Sequence, residues 1–180
     1  MRSPLEIENR EQYWLRSRDV SDSSTVAGDD YFSEYDILRA DEMTTADLPQ
    51  ADSDTVREID RDALDQEILT GKWQITGSPE RIEDLFPKLV ADAEDGIVWA
   101  VKAMTTFGFE NLPMYDEYVL AVYTPNYFDH GDVHRVRDYI RTEYGETGEL
   151  YYKPDIYTKK GIDATTVGKF GLSTPARYVE

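Results

Sequence analysis

Cysteine is absent from the 180-residue chain, which excludes disulfides and thiolate metal sites. Histidine is nearly absent: the two residues, His130 and His134, leave little scope for an imidazole-rich metal centre. No metal and no cofactor is therefore expected. No apolar run approaches the ~18 residues of a membrane span, so no membrane partner is expected. The start, MRSPLEIENREQYW, has no apolar signal core, and a cytoplasmic location is the expectation. Lysine is scarce too, at seven residues against twelve arginines. The Gly-rich spacing of a phosphate loop is missing, since GKFG (168–171) does not fit it. A Ser nucleophile elbow is missing as well.

What the chain does have is acid. Asp and Glu number 37 against 19 Lys and Arg, for a formal net charge of -18. The acid is spread through the chain rather than gathered in a tail, which reads as a surface adapted to molar salt. Screening at that salt is severe, with a Debye length of about 3 Å at 1 M. A charged ligand would have to be held by close, partly desolvated contacts. DNA is not expected as a partner of such a chain.

Residues 1–70 carry 19 acids and 7 basic residues, and the stretches 19–36 and 40–56 are rich in Ser, Asp and Gly. Such segments bury too little apolar surface to offset chain entropy unless they dock. Residues 1–56 are read as an irregular acidic region, disordered in part or docked, and 57–180 as a single domain. EQYWLRS (11–17) reads as a short docked helix anchored by Trp14. A helix is expected in 57–71, ending at Gly71.

The regular part alternates strands and helices. KWQIT (72–76) reads as a strand. Ser78 and Pro79 open an amphipathic helix over 78–96 with Ile82, Leu85, Phe86, Leu89, Val90 and Ala93 on one face and Pro87 inside it. Strands follow at 97–105 and 117–124, with a loop between them. A second helix spans 129–145, capped by Asp129, with Val133, Val136 and Ile140 inward. Residues 149–158 return as a strand broken or bulged near Pro154, and the Gly-punctuated tail adds one more. The pattern predicts an α+β domain: a curved, mainly antiparallel sheet with helices on one face.

Against this acid background, residues 148–180 hold five basic residues (Lys153, Lys159, Lys160, Lys169, Arg177) and four acids. Tyr151, Tyr152 and Tyr157 lie among them. This is the strongest functional signal in the chain, and it points to an anionic, phosphate-bearing ligand held by Tyr152, Lys159, Lys160 and Arg177. Lys102, in WAVKAMT, shares a strand face with Ala100 and Val98. It points either to solvent or into a pocket, and in a pocket its pKa would fall. Trp73 and Trp99 read as core residues, with Trp99 a candidate stacking surface for a base. His130 and His134, four apart on one helix face, read as an exposed pair, with one of them a second-choice general acid.

From GKWQITG (71–77) through YYKPDIYTKKGI (151–162) and GKFGLSTPARY (168–178) the chain resembles an uncharacterised family. Its best-known eukaryotic member is the basophilic leukaemia-expressed protein, and it has many members in salt-loving archaea. The resemblance covers 71–178, with YKPDIYTKKGI its most specific part. It implies a fold like that of the cap-binding translation initiation factor.

Members of the family are also similar to phosphothreonine lyases, in which a lysine takes the α-proton, a histidine protonates the leaving phosphate and cations hold it. That resemblance implies Lys153 as base, Lys102, Lys159 or Arg177 on the phosphate, and His134 as acid. The expected K-x-H strand motif is replaced by Lys102-Ala103-Met104. Cap recognition needs an acid beside a tryptophan, but Gln74 follows Trp73 and Ala100 follows Trp99. Three functions are weighed: lyase-type phosphate elimination, a non-catalytic nucleotide- or RNA-binding module, and a protein-interaction scaffold built on the acidic N-terminal region. The ligand is correspondingly a phosphate-bearing small molecule, a phosphopeptide or a nucleotide.

Overall fold

The structure, a computed structural model, describes residues 3–6, 11–17 and 26–180, with side chains from residue 30 onward in the last of these. Residues 19–25 of the first acidic stretch lie outside them.

Six strands form one open sheet: β1 (Trp14–Arg16), β2 (Gly71–Gly77), β3 (Ala100–Met104), β4 (Tyr118–Thr124), β5 (Tyr151–Pro154) and β6 (Tyr178–Val179). Their order is β1-β3-β4-β2-β5-β6, and every neighbouring pair is antiparallel. The helices are α1 (Val26–Glu34), α2 (Asp54–Asp65), α3 (Pro79–Glu94), α4 (Thr106–Asn111), α5 (His130–Tyr144) and α6 (Asp155–Lys159). The α+β class is as the sequence pattern predicts.

Strand alternation sorts the side chains onto two faces. Leu15, Trp73, Ile75, Val101, Ala103, Leu120, Val122 and Tyr152 belong to the main buried cluster, together with the inner stripes of α3 and α5. Ile82, Leu89, Val133, Val136 and Ile140 are fully buried there. The Trp73 indole N–H donates to the Val133 carbonyl at 2.8 Å, tying β2 to α5. Ser78 caps α3 and Asp129 caps α5, each side chain accepting an N–H of the first turn. Pro87 lies within α3. Gly145 closes α5 in the left-handed conformation at φ 65°, where a Cβ would be strained.

Four segments differ from expectation. The helix expected over 57–71 is α2, which starts at Asp54 behind the Ser53 cap and stops at Asp65, so Gly71 opens β2 rather than closing the helix. EQYWLRS is not a helix: Trp14–Arg16 is an edge strand on β3. Leu15 is buried while Arg16 is exposed, the period of two that a strand shows. The stretch between β3 and β4 contains α4, started by Thr105, whose hydroxyl accepts the Gly108 N–H at 3.0 Å. At Pro154 the chain leaves β5 and turns directly into α6, with Pro154 as its N-cap. Proline cannot donate to a strand ladder, so it ends the strand rather than bulging it.

Candidate functional site

The second face of the sheet, away from α3 and α5, carries the positive charge. Two rungs run across it. In the first, Arg16 stands opposite Lys102, Lys102 opposite Ala121, Ala121 opposite Gln74 and Gln74 opposite Tyr151. In the second, Ala100 stands opposite Tyr123, Tyr123 opposite Lys72 and Lys72 opposite Lys153. Two like-charged cross-strand pairs, Arg16 with Lys102 and Lys72 with Lys153, thus share one face. Each such pair destabilises a sheet when its charge is uncompensated.

Among the described residues, only one of the three lysines is neutralised. Lys72 is buried, and its ammonium is bound by the Asp155 carboxylate at the start of α6, with Thr158 Oγ1 at 3.3 Å. The other Asp155 oxygen accepts the Thr70 hydroxyl at 2.6 Å. Among the described residues, no carboxylate makes an ion pair with Lys102 or Lys153. The Lys102 Nζ lies over two rings instead, 4.4 Å from the Trp14 centroid and 5.6 Å from that of Tyr123. Lys72 approaches Tyr123 as well, at 5.5 Å.

These surroundings move both ammonium groups. Burial and the charge of Lys72 bring Lys102 down to about 7, with Arg16 and Lys153 acting in the same direction. Asp155 opposes them. Lys153 falls to about 8 through burial and Lys72, against Asp163 and Asp155. Near neutral pH both groups hold a sizeable share of neutral amine, which an ordinary lysine near 10.4 does not.

The frame around the face is aromatic. Tyr115 meets Trp14 edge-on, with centroids 6.1 Å apart. At one end, Phe32, Ile37 and Tyr31 form a second buried cluster with Trp99, Ala100, Ala121 and Tyr123. Beyond it opens a cleft of about 670 Å³ that touches Phe32, Arg39, Thr70, Trp99 and Asn126. This cleft therefore adjoins the lysine face without containing the lysines. Thr70, through Asp155, is the link between them.

Lys102 and Lys153 share one face, where Lys153 helps to lower Lys102, and Trp99 lies at the end of that face, only 2% exposed. The other residues singled out from the sequence lie elsewhere. Tyr152 is fully buried on the helix side, its hydroxyl 2.5 Å from the Thr124 hydroxyl. Gly71 is required beside it, because a Cβ there would collide with that hydroxyl. His134 is also on the helix side: its ring packs on Tyr178, which pairs with Tyr152, and its Nε2 lies 3.5 Å from Glu180.

Arg177 is buried in an ion pair with Asp60, at 3.1 Å, while Asp60 also accepts the Tyr127 hydroxyl. Lys160 pairs with Asp62 of α2. Lys159 is exposed at the end of α6. Sequence reasoning missed Lys72, Arg16, Trp14 and Asp155 as members of the site. Alternation within KWQIT already placed Lys72 opposite in direction to Trp73, but the pairing of β2 with β5 was needed to bring it to Lys153.

One comparison with known proteins bears on this chain. The family model described as basophilic leukemia-expressed protein Bles03 matches residues 24–161. The chain belongs to the Bles03 family. The match takes in Lys72, Lys102, Lys153 and Asp155, so the paired lysines lie within the part of the chain that is Bles03-like. Arg16 and Trp14 precede it, and Arg177 follows it.

Proposed function

We propose that the protein binds a phosphate-bearing ligand on the sheet face that carries Lys72, Lys102 and Lys153. The observation that supports this reading is the doubled cross-strand repulsion, Arg16 against Lys102 and Lys72 against Lys153, in a chain whose net charge is -18. Among the described residues, Asp155 is the one carboxylate that pairs with any of the three lysines, and Asp163 acts on Lys153 without pairing with it. An anion with several oxygens would relieve both repulsive pairs through short, charge-assisted hydrogen bonds. Such contacts persist in molar salt, where long-range attraction does not. The acid excess favours a cytoplasm of that kind as the working environment.

Calorimetric titration with pyrophosphate and with a phosphothreonine peptide in molar KCl tests the reading. Saturable binding is expected, weakened at least tenfold by Lys153→Met and unchanged by Lys159→Met. Equal binding by parent and Lys153→Met would remove it.

Lyase-type elimination is the second reading, favoured by Lys102 and Lys153 lying near neutrality. The neutral amine would take the α-proton, the C–H electron pair would form the Cα=Cβ bond, and the Cβ–O bond would break with phosphate carrying off its electrons. His134 does not face these lysines, so the leaving phosphate would draw any proton from solvent. Release of phosphate with a dehydrated peptide, lost in Lys102→Met and Lys153→Met, is the expected result. Binding without product leaves a non-catalytic module. The likeness to the cap-binding factor is supported by the open antiparallel sheet, but Trp73 is consumed in the core and cannot stack on a base.

A further inference from the structure

Lys102 differs chemically from its neighbours. Lys72 is committed to Asp155. Lys153 is one strand beyond it and less strongly shifted. Lys159 and Lys169 are exposed. Lys102 alone combines a half-buried amine, a ring on two sides and no carboxylate partner among the described residues. The charged and titratable groups that act on it are Arg16 from β1, Lys72 from β2, Lys153 from β5 and Asp155 from α6, with Tyr123 beneath it on β4. The Trp14 face and Asp155 favour its ammonium form; burial and three cations oppose it.

We propose that Lys102 is an amine nucleophile that captures the carbonyl carbon of a phosphorylated aldehyde or ketone as an imine. This rests on the phosphate reading above and deepens it: Lys153, beside the Asp155-bound Lys72, receives the phosphate, and Lys102 receives the carbonyl. The neutral Nζ adds its lone pair to the carbonyl carbon, and the C=O pair becomes a hydroxyl. The carbinolamine then loses that oxygen as water, taking one proton from solvent and returning one from nitrogen. One C=N bond replaces one C=O bond, with no change of oxidation state. Trp14 and Tyr123 flank the amine, so a flat, conjugated carbonyl compound fits best between them. A buried amine near neutrality is what such addition requires, since the ammonium has no lone pair.

Pyridoxal phosphate serves as the probe, with borohydride to trap the imine as a secondary amine and peptide mapping to locate it. The full chain is labelled in molar KCl near neutral pH. Lys102 is expected to be modified at least tenfold faster than Lys159 or Lys169, and excess pyrophosphate is expected to slow it. Lys102→Arg keeps the charge and is expected to lose the fast phase while its thermal unfolding stays cooperative. Lys102 reacting no faster than Lys159, in a protein that still binds pyrophosphate, overturns the imine alone. Equal rates with pyridoxal, which lacks the phosphate, together with no protection by pyrophosphate, overturn the phosphorylated ligand class and the phosphate reading with it.

Discussion

At the scale of the residue, the lysine face is a set of coupled titrations. Lys102 is lowered in the folded chain, so between about pH 7 and about pH 10.4 the unfolded chain binds the extra proton. Stability therefore rises with pH across that window, and the cost of the buried ammonium is fully present below it. Lys102→Met is expected to be more stable than the parent near pH 6 and to lose that advantage as pH climbs through the window; denaturant midpoints at several pH values check it. An advantage that does not change with pH would contradict the assignment. Asp155 raises both Lys102 and Lys153, so Asp155→Asn is expected to lower the titration midpoints of both, read by lysine side-chain NMR. No change at either would mean that the carboxylate is too well screened to matter.

At the scale of the element, the interest lies in how short segments are fixed. Strand β6 is two residues long and depends on its neighbours. The Arg177 side chain, 5% exposed, reaches Asp60 of α2, itself 1% exposed. Arg177→Met leaves a buried carboxylate unpaired and is expected to cost about 3–5 kcal/mol by chemical denaturation. Lys159→Met, on an exposed turn, is expected to stay within about 0.5 kcal/mol of the parent. A small effect at Arg177 would return that arginine to the list of candidate ligand contacts.

The long elements were legible from their periodicity and caps. The buried stripe of α3 and the Asp129 cap of α5 fall where the sequence pattern puts them. Strand β1 was not legible, because three residues carry too little pattern and its signal comes from pairing with β3. The site was half legible for the same reason. Composition drew attention to Lys153, and alternation to Lys102, but the face they share exists only through the strand order. The clustering of cations in 148–180 was a local coincidence of sequence: Arg177 and Lys160 turn to α2, and Lys159 to solvent.

At the scale of the whole molecule, charge dominates. A net of -18 on 180 residues opposes compaction unless salt screens it. The thermal midpoint is expected to rise by several degrees between roughly 0.2 M and roughly 2 M KCl. A flat or falling midpoint would argue against molar salt as the native setting. The sheet edge belongs to the same scale. Strand β1 brings Trp14 and Arg16 to Lys102 and covers β3. Removing 1–17 is therefore expected to weaken anion binding as well as stability.

One face of one sheet acting as an anion site is the central proposal. Lysine side-chain NMR of the full chain, titrated with pyrophosphate in molar KCl, tests it most directly. The Lys72, Lys102 and Lys153 signals are expected to move together and saturate at one ligand concentration, while those of Lys88, Lys159 and Lys169 stay still. Signals that all drift in parallel without saturating, or a still Lys102 and Lys153 beside a moving Lys159, would contradict it.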